Sequence, residues 1–98
     1  MPLTEKVDFK AVLQRGNRVQ VPRLIRWQFK LEPDQVLQVT VEDEEASALE
    51  TFYARMTRDG RLTIPKLTLK ALREQCEKKS LVGYVLVIAL KPASGAGK

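Results

Sequence analysis

The chain has 98 residues, of which 44% are hydrophobic and 30% are charged, with 17 basic side chains against 12 acidic ones and no histidine. This length fits one small domain, 1–98, and the single cysteine excludes an intrachain disulfide framework. The longest apolar run has ten residues, whereas a membrane helix needs about 20, so we expect a cytoplasmic protein with no membrane partner.

Residues 9–29 recur as residues 52–72, at an offset of 43 and without a gap. A repeat of this length is one supersecondary unit used twice, which predicts internal pseudo-twofold symmetry. We divide the chain into a first repeat at 7–41, an acidic linker at 42–51, a second repeat at 52–90 and a flexible tail at 91–98. Six aligned positions are identical, namely Phe9/Phe52, Ala11/Ala54, Arg15/Arg58, Arg18/Arg61, Pro22/Pro65 and Leu24/Leu67.

Each repeat opens with two strands of alternating polarity around a tight turn. Gly16-Asn17 in the first turn predicts a type II′ conformation, and Asp59-Gly60 in the second predicts type I′. The two turns are flanked by arginines at the same positions. We therefore expect equivalent hairpins that present the same charges.

A short helix follows Pro22 and another follows Pro65, since proline suits the first turn of a helix. We expect the first helix to be closed by Pro33 and the second to reach Lys79, where pairs between Arg73 and Glu77 and between Glu74 and Lys78 would support it. A basic stripe is predicted on each helix, consisting of Arg23, Arg26 and Lys30 on the first and Lys66, Lys70 and Arg73 on the second.

A third strand closes each repeat. Residues 36–41 mostly alternate in polarity, and residues 84–90 are apolar on both faces, as in a strand that is buried on two sides. The fold class is mainly β with short helices (α+β), and we expect the repeats to pair in a closed or nearly closed β-barrel. Its predicted core is Phe9, Leu13, Val21, Phe52, Met56, Ile64, Val87 and Leu90.

Charge is segregated along the chain. Five of the twelve acids lie in residues 42–50, so the rest carries 17 basic residues against 7 acidic ones, a net charge of +10. The repeats are therefore the basic parts of the protein. Such segregation favours a polyanionic partner, because clustered charge of one sign concentrates the opposite sign.

The order of strand, Gly/Arg turn, strand ending in hydrophobic-x-hydrophobic-Pro, basic helix and strand resembles the AbrB/MazE/SpoVT swapped-hairpin family. Residues 59–65, Asp-Gly-Arg-Leu-Thr-Ile-Pro, look like the family signature, and residues 18–22 match it in part. The resemblance implies a pseudo-twofold swapped-hairpin β-barrel built from two tandem repeats. It also implies DNA binding through Arg18 and Arg61 on the turns and through Arg26 on the first helix, a position that Leu69 occupies in the second.

Together, charge and resemblance predict a duplex-DNA-binding protein, either a transcriptional regulator or a nucleoid-associated architectural protein. It would be a monomer with an internal pseudo-dimer, or a homodimer. The candidate contacts are Arg15, Arg18, Arg23, Arg26, Lys30, Arg58, Arg61, Lys66, Lys70 and Arg73.

Other functions are left open. An antitoxin-like or other protein-interaction module is one alternative, since family members also bind proteins. An RNA-binding protein is another, since Phe9, Trp27, Phe52 and Tyr53 could stack on bases. We expect no enzyme, cofactor or metal site, because the chain has no histidine and its one cysteine lacks a candidate base.

Overall fold

The computed structural model describes residues 6–33, 35–45 and 47–92. These residues form a mainly β structure with two short helices, in agreement with the predicted fold class. The predicted flexible tail was wrong for Lys91 and Pro92, which belong to the last strand because they pair with Gln38 and Leu37. Residues 93–98 of that tail, like residues 1–5, lie outside the described part. In chain order the elements are β1 (Val7–Val12), β2 (Arg18–Gln20), α1 (Arg23–Gln28), β3 (Val36–Asp43), β4 (Ala48–Arg55), β5 (Arg61–Thr63), α2 (Lys66–Cys76) and β6 (Val85–Pro92).

The strands form two antiparallel sheets. One has four strands in the order β1-β6-β3-β4, and the other is a two-stranded ribbon of β2 and β5. The expected closed barrel is not found among the described residues, because the ribbon and the larger sheet are separate. Both sheets instead turn one face toward a shared core.

Strand pairing is symmetric under exchange of the two repeats. The third strand of each repeat pairs with the first strand of the other, so that β3 lies beside β4 and β6 lies beside β1. In the ribbon, Val19 stands opposite Leu62, its own counterpart at the offset of 43. In the larger sheet Thr40 stands opposite Ala89, which is its counterpart at an offset of 49. The neighbouring pairs, Val39 with Leu90 and Val41 with Ile88, are exchanged by the same offset. The offset rises because α2 and the loop after it are longer than their counterparts.

One hydrophobic core fills the space between the sheets and the helices. Strands β3 and β6 alternate between buried and less buried positions, since each has one face on the core. The predicted core residues are buried except Val87, which is half-buried on the outer face. The expectation that the last strand is buried on both faces was therefore wrong, because the outer face of the sheet is uncovered in this chain. Leu69 and Leu72 of α2 are buried at 2% and 0% exposure and complete the core.

The predicted acidic linker is mainly β-hairpin. Strand β3 continues to Asp43 and β4 begins at Ala48, so most of residues 42–51 belong to the four-stranded sheet. Asp43 is 5% exposed, and its carboxylate accepts hydrogen bonds from Lys78 Nζ at 2.8 Å and from the Glu45 backbone N–H at 3.1 Å. A buried, bonded carboxylate ties this hairpin to the chain after α2.

Both helices end earlier than predicted. The backbone N–H groups of Lys30 and Leu31 bond to the carbonyls of Trp27 and Arg26, which is a Schellman motif, and Lys30 has φ +51°. Lys30 is therefore beyond α1 and not on its basic stripe. Helix α2 ends at Cys76, with Glu77 at φ +57°. The expected Arg73/Glu77 and Glu74/Lys78 pairs do not occur.

The residues after helix α2 form tertiary contacts instead of helical pairs. Lys78 leaves the helix direction and binds Asp43 and Glu45, at 2.8 and 3.3 Å. Its ammonium group also lies 4.4 Å from the centre of the Tyr84 ring. Tertiary pairing has replaced the local pairs that helical spacing suggests.

Candidate nucleic-acid interface

Two three-residue turns carry the arginines singled out by the sequence. We call residues 14–18 turn 1 and residues 57–61 turn 2. In each turn the first residue donates its N–H to the carbonyl of the last, at 2.8 Å in turn 1 and 2.9 Å in turn 2. Three residues therefore lie between the paired ends, which does not fit the two-residue type I′ and II′ turns that we predicted.

The backbone of the two turns differs. In turn 1, Gly16 and Asn17 both have positive φ, +83° and +60°, whereas type II′ would need only the first. In turn 2, Asp59 has negative φ, the Gly60 N–H bonds to the Thr57 carbonyl, and only Gly60 is left-handed, at +81°. This is the pattern of a type I turn followed by a left-handed residue. The Gly-Asn and Asp-Gly dipeptides correctly predicted where the turns lie. The conformations of the turns instead follow from the register of the strands that they connect.

The turns are joined to each other through the ribbon. Val21 donates to the Gly60 carbonyl at 2.8 Å, and its counterpart Ile64 donates to the Asn17 carbonyl at 2.7 Å. Each turn is thus bonded to the residue that precedes the proline and helix of the other repeat. Both turns and both helix starts therefore surround one pseudo-twofold axis.

The outer face of the ribbon carries the turn arginines. Val19 and Leu62 are fully buried, so the alternating residues Arg18, Gln20 and Arg61 point away from the core. Arg15 and Arg58 are exposed in the loops of the turns, and Arg23 and Lys66 are exposed at the helix starts. We call this surface, from the ribbon to the helix starts, the basic face.

The basic residues on this part of the molecule have no acidic partners. Among the described residues, the salt bridges are those of Lys6, Lys10 and Lys78, and none involves a predicted contact residue. Asp59 is also exposed in turn 2, but it forms none of these salt bridges, and unpaired cations are available to an external anion. The stripe on α2 is less uniform, because Lys70 and Arg73 share a surface hollow with Glu74 and Glu77.

Turns 1 and 2 are not supported equally. Arg61 is half-buried, its backbone N–H bonds to Thr57 Oγ1 at 3.1 Å, and its Nε bonds to Gln20 Oε1 at 3.4 Å. Arg18 is exposed and lies over its own turn, since a Cβ placed on Gly16 would be 3.3 Å from the Arg18 Nε. The equivalence expected from the sequence therefore extends to the backbone bonds that join the turns to the ribbon, but not to the conformations of the turns or to their side chains.

Exposed apolar side chains beside the basic residues were not predicted as site residues. Leu24 and its counterpart Leu67 are 73% and 80% exposed, and Trp27 is 78% exposed. Arg23, Leu24 and Trp27 line a shallow hollow on α1. The sequence contains one signal for these residues. Leu24 and Leu67 are identical, each follows the basic first residue of its helix, and Leu67 lies off the apolar side of α2.

The remaining titratable cluster stabilises the fold. Burial and, to a smaller extent, the neighbouring Asp43 carboxylate together raise the pKa of the Cys76 thiol to about 11. The hydrogen bond from Lys78 lowers the pKa of Asp43. A thiol that stays protonated at neutral pH is a poor nucleophile. Within the described residues no group of three acidic or cysteine side chains is placed to hold a metal ion, and no helix is long and apolar enough to cross a membrane.

Comparison with known proteins gives one structural likeness. No model of a protein family and no curated protein matches the chain. The chain is similar to the protein in the solution structure of PHS018 from Pyrococcus horikoshii, with 26% sequence identity, a TM-score of 0.68 and 94% of each chain covered. The likeness extends over nearly the whole chain, so it concerns the complete two-repeat arrangement and not one half.

Proposed function

We propose that this protein binds duplex DNA through the basic face, as a transcriptional regulator or an architectural protein of the nucleoid. The observation that carries the proposal is the arrangement of Arg15, Arg18, Arg58 and Arg61 at matching positions about one pseudo-twofold axis, without a salt bridge to any described acidic residue. Duplex DNA is itself pseudo-twofold and presents phosphates on both sides of a groove. A symmetric cationic surface suits that geometry.

We also propose that the fold is a swapped-hairpin, AbrB-like pseudo-dimer. The exchange of strand partners between repeats supports this assignment, since all four strand pairings join one repeat to the other. The one chain then supplies both halves of the binding face. We expect a monomer that binds DNA, and sedimentation equilibrium across a range of concentrations would distinguish it from a homodimer.

The direct test compares one labelled 20-base-pair duplex, the matching single strand and the matching RNA by fluorescence anisotropy at several salt concentrations. If the face neutralises about six phosphates, log K against log salt has a slope of about −5 for the duplex. Absence of duplex binding at low salt, or a flat salt response, would contradict the proposal. Tighter binding to the RNA would move the assignment to an RNA-binding protein.

A matched control is provided by Lys10. It lies on the outer face of the four-stranded sheet, across the core from the ribbon, and it pairs with Glu44 at 3.4 Å. Lys10→Ala removes one positive charge, as Arg61→Ala does, but on the side of the molecule opposite the basic face. We expect Arg61→Ala to reduce the salt slope by about one and Lys10→Ala to leave it unchanged.

A protein-interaction module is the second candidate, and the exposed Leu24, Trp27 and Leu67 favour it. Leu24 and Trp27 line the same hollow, and adjoining exposed apolar side chains are typical of contact surfaces. If these residues serve a protein partner, Trp27→Ala leaves DNA affinity unchanged. If they lie in the DNA interface, Trp27→Ala weakens DNA binding together with the arginine variants.

A further inference from the structure

We propose that turn 2 is the primary DNA-reading element and that Gln20 and Arg26 of the first repeat hold it in its binding conformation, so that the protein prefers a non-palindromic site. This inference rests on the proposed DNA-binding function. The two turns share the backbone hydrogen bonds that join them to the ribbon, but they differ in the side chains that support them.

Gln20 is the first support of turn 2. Its side-chain Nε2 donates to the carbonyls of Asp59 and Gly60, at 2.7 and 3.2 Å, and its Oε1 accepts from Arg61 Nε at 3.4 Å. One amide thus fixes both the turn backbone and the arginine that projects from it. A side chain fixed in this way loses little rotamer freedom on binding.

Arg26 is the second support. A Cβ built on Gly60 would lie 2.5 Å from the Arg26 Cζ and Nε and 2.7 Å from its Cδ, so the guanidinium is stacked directly on the glycine backbone. Only glycine leaves room for it there. The Arg26 Nε is buried and has no hydrogen-bond partner among the described residues, and no acid pairs with the guanidinium. A partly buried guanidinium without an acceptor is suited to an external one.

Turn 1 has neither support. The counterpart of Gln20 is Thr63, which makes no comparable bond to turn 1, and the counterpart of Arg26 is Leu69, which is 2% exposed and belongs to the core. Asn17 stands where turn 2 has Gly60. Arg18 lies over its own turn, and its side chain forms no salt bridge among the described residues. The pseudo-twofold axis therefore relates the strand pairings of the ribbon, but not the conformations of the turns or the side chains placed on them.

The difference has a consequence for DNA recognition. Reading a guanine edge requires an arginine fork held in a defined geometry, whereas a phosphate can be met by a mobile cation. Turn 2, where Arg26 lies on Gly60 and Arg61 is held by Gln20, meets the first requirement. Turn 1, with an unsupported Arg18, meets the second. Turn 2 would contact base edges in one half of the DNA site, and turn 1 would contact only phosphates in the other half.

The test begins with selection of preferred duplexes by the intact protein from a random-sequence library. We expect a preferred sequence confined to one half-site. Affinities are then measured for the selected duplex and for an unrelated duplex of equal length. Arg61→Ala and Arg26→Leu, which installs the residue of the second repeat, should each reduce the preference for the selected duplex by about 10-fold. Arg18→Ala should weaken both duplexes by the same few-fold factor.

Coupling gives a second readout. The double variant Arg26→Leu/Arg61→Ala should lose less than the product of the single effects because both changes act on one site, whereas Arg18→Ala/Arg61→Ala should be multiplicative. Arg23→Ala, an exposed change on the same helix, is the control for lost charge, and Arg26→Lys keeps the charge without the fork. Melting temperatures of all variants identify any effect that comes from unfolding.

A palindromic selected sequence, or equal losses of preference from Arg18→Ala and Arg61→Ala, would overturn the inference while leaving DNA binding intact. An unchanged preference in both Arg26→Leu and Arg26→Lys would overturn it as well. Failure of the unaltered protein to bind any duplex is a separate result, and it would remove the proposed function itself.

Discussion

Replacing Gly60 by alanine separates the stability of turn 2 from its role in binding. Gly60 has φ +81°, and a Cβ at this position would collide with the Arg26 side chain at 2.5 Å. Gly83 is the matched control, because its φ is +90° and an added Cβ there would meet nothing within 4 Å. Both changes strain the backbone, but only one displaces Arg26.

The backbone cost should be nearly the same at the two sites. Holding an L-residue in the left-handed region costs about 1–2 kcal/mol. For a domain of this size each kcal/mol lowers the melting temperature by about 4–8 °C, so we expect both variants to melt roughly 5–15 °C lower. The atoms that Gly60→Ala would strike are the far end of a flexible side chain, which can rotate into solvent. We therefore expect the two free energies of unfolding to agree within about 0.5 kcal/mol.

DNA affinity should differ between the two variants. Gly60→Ala moves the Arg26 guanidinium out of its place, so we expect binding of the selected duplex to weaken by about 10-fold, which corresponds to about 1.4 kcal/mol. Gly83→Ala should bind as the unaltered protein does. The measurements are urea denaturation and fluorescence anisotropy at a temperature at least 15 °C below the lower melting point, where unfolding does not contribute.

Two results would refute this reasoning. If Gly60→Ala binds DNA normally, the placement of Arg26 on the glycine is not needed for recognition. If Gly60→Ala unfolds far more readily than Gly83→Ala, Arg26 is a fixed part of the packing and cannot move aside as we assume. Either result is informative, because the two variants share the same backbone penalty.

Two further predictions concern the fold. Asp43→Asn should lower the melting temperature more than Glu44→Gln, because the Asp43 side chain is 7% exposed in its salt bridge whereas that of Glu44 is 61% exposed. The hydrogen bond from Lys78 lowers the pKa of Asp43, so its stabilisation is present above about pH 4 and is lost as the pH falls through the lowered pKa. The corresponding loss of melting temperature on acidification should therefore be smaller in Asp43→Asn. Residues 1–46 alone should be unfolded or dimeric by circular dichroism and sedimentation, because β1 and β3 then lack β6 and β4, and a stably folded monomer would contradict the paired-repeat arrangement.

Much of this protein follows from its sequence. The repeat pattern correctly predicted the positions of both turns, the start of both helices and seven of the eight core residues. These features follow from alternating polarity and turn-forming residues, which act over a few neighbours in the chain. The internal symmetry followed for the same reason, since equal local patterns give equal local structures. The identity of the basic residues at the turns was also fixed at this level.

The tertiary structure decided what each repeat does with its elements. Strand partners come from the other repeat, the longer α2 ends where Lys78 can reach Asp43, and turn conformation follows strand register and not the Gly-Asn or Asp-Gly dipeptide. It also decided that Arg26 lies on Gly60, which is 34 residues away, while its counterpart Leu69 enters the core. These contacts join residues that no local pattern relates, so their geometry exists only once the two repeats have packed against each other.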